Sequence, residues 1–181
     1  MRSYSHWRFD MRCITLDDAR VRLRHLLDPN GKPLRAYPAV PALRFSYGHS
    51  PIPSFPSTVT AIVESVGPWE EAWLWHDRVD TWNRPALSAY YRVRQAHRDY
   101  QLVDEAPVHA FYRHEYHDLL TCVLLTILNE WSAFLVTSHD YGRAFLSSSH
   151  WLDVARSEAS ELQAVRQVLA AKGFEETPHP T

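Results

Sequence analysis

The chain has 181 residues, 45% hydrophobic and 22% charged, with a net charge of −2. That length suits one domain able to bury a substantial core, and the near-neutral balance excludes a global electrostatic drive toward nucleic acid or a membrane surface. Aromatic residues reach 13%, with seven Trp, which excludes a disordered chain and points to a core or groove built on rings.

Charge is unevenly spread. Residues 1–60 carry nine Arg/Lys against four Asp/Glu, a local balance of +5, whereas residues 61–181 carry ten against seventeen, a balance of −7. Such asymmetry marks either a partner surface or two halves that pair within one fold. The two cysteines, Cys13 and Cys122, fall in no CxxC or zinc spacing, so the chain reads as cytoplasmic, without disulfides, structural metal or cofactor. The first residues hold no apolar signal core, and the longest apolar run is too short and too interrupted to cross a bilayer.

In chain order, residues 15–28 predict a first helix, with Thr15 as cap and Asp17 and Asp18 in the first turn, where the helix dipole favours acids. Residues 33–56 alternate prolines with Tyr37, Phe45, Tyr47 and Phe55, and predict an extended, ordered strap rather than a helix. The β-branched stretch 57–66 predicts a strand, paired through the turn at Gly67 and Pro68 with a second at 70–77. Residues 84–98 predict a helix with Asn83 as a cap and Pro85 in its first turn. A third strand follows at 106–113, then a helix over 115–131 that is apolar nearly all round. Residues 133–148 read as a hairpin. A last helix over 150–172 starts at Ser148 or Ser149 and ends at Gly173, ahead of a polar tail at 173–181.

This order predicts a single α+β domain over 1–181: one mixed sheet of about five strands with helices packed on it, a proline-rich N-terminal strap, and a core over 57–172. No G-x-G-x-x-G, P-loop or G-x-S-x-G motif occurs.

Two segments are dense in chemistry. The first, "VHAFYRHEYHD" at 108–118, supplies His109, His114, His117 and Asp118 as acid–base or metal-ligand candidates. His114 and His117 are three apart, so this is not the H-E-x-x-H spacing of zinc peptidases, and no metal site is assigned. The competing reading is structural: Glu115 and Asp118 satisfy the free N–H groups at a helix entrance. The second segment, "WEEAWLWHDRVDTW" at 69–82, puts Trp73 and Trp75 on one face of a strand with Asp77, Asp80 and Trp82 beside them. Rings among acids suit capture of an Arg- or Lys-rich protein, and the competing reading is a core edge with solvated acids.

The stretches "EAPVHAFYRHEYHDL" and "EWSAFLVTSHDYGRAFLSSSHWLDV", with the Trp-rich stretch before "YYRVRQ", resemble a family of uncharacterised bacterial cytosolic proteins over roughly residues 70–155. In general style that family is similar to immunity proteins of bacterial toxin systems. The resemblance implies a non-enzymatic, cytosolic protein-binding protein, an inhibitor of a basic toxin domain. The alternative is a small hydrolase, metal-dependent in one version, using the His109, His114 and His117 cluster with Asp118. A third reading, nucleic-acid binding through Arg20, Arg22, Arg24 and Arg35, is not favoured by the net charge.

Overall fold

A computed structural model describes residues 11–28, 31, 42–47, 55–79, 84–137, 142–156 and 158–178. Among these the chain is α+β, with eight strands in a single antiparallel sheet and five α-helices. In chain order the elements are β1 (Arg12–Ile14), α1 (Leu16–Arg22), β2 (Ala42–Ser46), α2 (Phe55–Ser65), β3 (Glu71–Arg78), α3 (Arg84–Ala96), β4 (Val108–Tyr112), α4 (Tyr116–Leu128), β5 (Ser132–Thr137), β6 (Arg143–Leu146), β7 (Trp151–Ala155), α5 (Ala159–Ala171) and β8 (Glu175–Thr177). Strand order across the sheet is β1-β4-β3-β5-β6-β7-β2-β8.

Side-chain alternation gives the sheet two different faces. One carries Phe45, Leu74, Phe111, Leu135, Leu146 and Leu152, and packs against α2, α4 and α5 in the main core. The other carries Ile14, Trp73, Trp75, Val108, Phe134 and Phe145, and packs on Ala19 and Leu23 of and after α1. A third, smaller cluster joins Tyr90 of α3 to Val103 and Trp131.

Several expectations are corrected by this arrangement. The sheet has eight strands rather than about five, and it is antiparallel rather than mixed. The strap is interrupted, since residues 42–46 are a regular strand between β7 and β8, while residues 33–41 and 48–54 lie outside the described residues. Residues 57–66 are not a strand but most of α2 and the residue after it: Val59, Ile62, Val63 and Val66 are all buried, and their spacing is that of one helix face. Burial of that face outweighs the weak β preference of the branched residues. Accordingly β3 pairs with β4 and β5, not with 57–66.

The last expected helix divides. Residues 151–155 form β7, because Asp153 stands opposite Arg44 in the ladder and takes its guanidinium bidentately at 2.7 and 2.8 Å, while Arg44 also stacks 3.8 Å from the Trp151 ring. Only 159–171 is helical. Its end is as expected: Gly173, at φ +83°, gives its N–H to Ala170, and Phe174 gives its N–H to Leu169, the paired bonds of a Schellman closure. The tail then contributes β8. At the other end of the chain, Thr15 caps α1 by accepting the Asp18 N–H at 3.2 Å, as its position foretells, but the helix expected over 15–28 ends at Arg22, and only a 3-10 turn at Arg24–Leu26 follows. The proposed Asn83 cap lies outside the described residues.

Candidate functional site

Where β1, β4 and β3 run side by side, the face that elsewhere carries Leu and Phe carries polar groups instead. Cys13 pairs with His109 across β1 and β4, His109 faces Leu74 across β4 and β3, and His76 lies two residues further along β3. Helix α3 covers them with Tyr90 and, one turn on, Arg94; α4 adds Cys122 and Thr126. His76, Tyr90, Arg94, His109, Cys122 and Thr126 are all buried.

These side chains form a continuous hydrogen-bonded row. Cys13 Sγ is 3.3 Å from His109 Nδ1, the Tyr90 hydroxyl contacts His109 Nε2 closely and lies 3.4 Å from His76 Nδ1, and His76 Nε2 is 3.1 Å from Thr126 Oγ1. Thr126 donates its own proton to the Cys122 carbonyl at 2.8 Å, so its oxygen accepts from His76 Nε2–H. A neutral His76 then has a bare Nδ1 facing Tyr90. At the far end the single Cys13 thiol proton has two acceptors, His109 Nδ1 and the Asp99 carboxylate. The row therefore admits two proton arrangements: one running from Cys13 to Thr126, and one in which Cys13 serves Asp99 and His109 carries its proton on Nδ1.

Electrostatics keep the row uncharged. Burial depresses His76 to about 4, only partly opposed by its bond with Pro107 and reinforced by the charge of Arg94. Burial likewise holds His109 well below the usual imidazole range, with His76, Arg94 and His97 adding to the effect. Burial raises Tyr90, Cys13 and Cys122 above their ordinary values, Cys122 to about 12. Neither thiol is a thiolate near neutrality, and thiolate character is what nucleophilic or metal-ligand chemistry requires.

The row borders a cleft of about 290 Å³ at the end of the sheet. Leu16 and Arg20 of α1 form one wall, Trp75, His76, Asp77 and Val79 the floor, and Val103, Asp104 and Pro107 the other wall. Both ring nitrogens of His76 are engaged within the row, so the cleft meets that residue without a free imidazole nitrogen. Tyr100 and Leu102, 75% and 54% exposed, stand in the segment that builds the second wall, and Val21, 74% exposed, follows Arg20 on α1.

The residues singled out from sequence are dispersed by the fold. His109 is buried in the row; His114 is exposed and stacks on Tyr112 with ring centroids 5.8 Å apart; His117 is exposed in the first turn of α4; and Asp118 lies 3.7 Å from His97. Among the described residues no group of three or more His, Cys, Asp or Glu is placed to hold a metal ion. Of the two acids expected to close the helix entrance, the buried Glu115 accepts the Tyr112 N–H at 2.6 Å, whereas Asp118 faces His97 instead. Trp73 and Trp75 are 7% and 5% exposed and pack beneath α1, so they are interior rings rather than an exposed wall. Asp77 is half-buried in the cleft, and Asp80 and Trp82 lie outside the described residues.

The row and the ion pair beside it draw on Cys13, His76, Tyr90, Arg94 and Asp99, none of which stood out in the sequence. A faint signal existed: His76 falls in alternation with Ala72 and Leu74, which places it on the inward face opposite Trp73 and Trp75. Comparison with protein-family models, curated proteins and solved structures gives no match. Among the described residues, no helix is long and apolar enough to cross a membrane.

Proposed function

We propose that the protein is a non-enzymatic protein-binding protein whose cleft receives a basic segment of its partner, inhibition of a basic toxin domain being the specific form of this role. The observation that carries the reading is the cleft wall 100–107. It contributes the exposed Asp104 to the lining of the cavity, opposite an Arg20 that pairs with Asp17 at 3.4 Å, and next to it in sequence stand the exposed Tyr100 and Leu102. Large exposed side chains beside a concavity are characteristic of interaction surfaces. The exposed Asp104 carboxylate suits a guanidinium or ammonium group. The excess of acid over base in residues 61–181 has the same sign.

The hydrolase reading draws no support from the geometry, because His109, His114 and His117 occupy three separate environments. The test is capture from native-host extract by immobilised wild-type protein and by Asp104→Lys. Stoichiometric retention of a basic protein by the wild type, weakened at least tenfold by the charge reversal, supports the reading. A partner held equally by both, or one that is acidic, overturns it.

A further inference from the structure

We propose that α3 and the segment that follows it, through Ala106, form an acid-released flap whose trigger is protonation of His109 and His76 beneath Tyr90. The flap is a body of its own. Arg94 is fully buried, yet its guanidinium grips Asp99 and donates to the Ala106 carbonyl at 3.3 Å, and the Tyr91 hydroxyl accepts the Val103 N–H at 3.1 Å. Helix and loop are thereby tied to each other. Their attachment to the rest is limited: apart from Val93, α3 stands outside the main core, its apolar anchor is the small cluster in which Tyr90, Leu87 and Val103 meet Trp131, Leu125 and Val79, and the Met11 N–H donates to His97 Nδ1 at 3.1 Å. Ser88, Ala89, Arg92 and Gln95 face solvent. Segments with few apolar contacts of this kind open as separate units below the free energy of global unfolding.

What holds the flap down at its centre is polar: Tyr90 to both imidazoles. The charged and titratable groups around those imidazoles are Cys13 from β1; Tyr90 and Arg94 from α3; His97 and Asp99 from the segment after it; and Cys122 and Asp118 from α4. Arg94 repels a proton on either ring. Asp99 is engaged by Arg94, and Asp118 faces His97. An imidazolium therefore has no carboxylate of its own in the closed state, whereas in the open state water solvates it. The imidazoles titrate near 6.5 when solvated and lower when covered, so below that pH each proton taken up favours opening. Two such protons raise the opening constant by up to about 100-fold per pH unit, tenfold for each.

Because Val103 and Asp104 belong to the flap, acid would also dismantle one wall of the cleft and release a partner bound there; that consequence rests on the reading above, whereas the opening itself does not. The experiment is hydrogen–deuterium exchange of the free full-length protein between pH 7 and 5, corrected for the intrinsic pH dependence of exchange. Peptides covering 84–106 are expected to lose protection with a slope of one to two protons while those from β5 and β6 keep theirs. His109→Gln is expected to lower the slope by one. A pH-independent flap, or loss of protection in step with β5 and β6, overturns the proposal, and the wild-type slope decides the matter should the variant not fold.

Discussion

Arg94 and Asp99 form an ion pair in which the cation has no solvent exposure: Nε lies 2.6 Å and Nη2 2.5 Å from Asp99 Oδ2. Burial opposes the charge on both partners. On Asp99, hydrogen bonds from Cys13, the Gln101 N–H and Arg94 outweigh it and bring the carboxyl below its ordinary range. Arg94→Met leaves that carboxylate without its cation and unties Ala106 as well. Breaking such a pair from one side costs about 3–5 kcal/mol, to be read from the urea midpoint. Adding Asp99→Asn is expected to recover part of the loss. A cost below about 1 kcal/mol for the single variant shows that the pair does not hold α3.

Stability is expected to fall as the medium becomes acidic, with the first losses just below pH 6.5. The folded state holds His76 at about 4 and His109 well below its usual value, both through burial, so unfolding takes up protons at these sites. Their contribution is fully present above the unfolded value of about 6.5 and is lost as pH falls from there through about 4. For His76 alone the change is about 3 kcal/mol across that window. Urea melts at pH 7.5, 6 and 5 measure it, and equal stability at 7.5 and 5 contradicts the neutral, covered imidazoles.

Trp75→Ala is expected to destabilise the protein by about 3–5 kcal/mol, as for other buried aromatic deletions, because the ring lies between the sheet and α1. Asp104→Lys is expected to change stability by less than about 0.5 kcal/mol, since Asp104 is exposed. A Trp75→Ala protein that melts like the wild type places this ring at the surface and restores the exposed-wall reading.

Helix α4 has a graded set of leucines. Leu119 is wholly buried, Leu124 half-buried and Leu128 51% exposed. Truncation to Ala is expected to cost about 2–5 kcal/mol at Leu119, less at Leu124, and less than about 0.5 kcal/mol at Leu128 or at the exposed His117. Thermal melts of the four variants rank them, and an inverted order of Leu119 and Leu128 refutes the helix orientation.

Glu130 closes α4 in the left-handed region at φ +54°, giving its N–H to Ile127 while Trp131 gives its own to Thr126. Glycine adopts this conformation without a Cβ penalty. Glu130→Gly is therefore expected to stabilise the protein by about 0.5–1 kcal/mol. A lower melting temperature in this variant indicates that the Glu130 side chain contributes more than the strain costs.

Local signals in the sequence determined the elements whose causes are local. Thr15 with Asp17 and Asp18 marked the start of α1, Gly173 marked the end of α5, and Leu119, Val123 and Ile127 marked α4 as a buried helix. The mixed helix-and-strand class followed from the same periodicities. Tertiary structure decided the rest, because the remaining choices depend on partners distant in sequence. Residues 57–66 became helical because a core was available for one of their faces, and 151–155 became a strand because Arg44, 109 residues away, meets Asp153. The histidine-rich stretch was visible, but not that β4 would turn His109 inward while the helix entrance left His114 and His117 in solvent. Cys13, His76, Tyr90 and His109 come from four different elements, and neither their hydrogen bonds nor the desolvation that keeps them neutral exists until the sheet and α3 close around them.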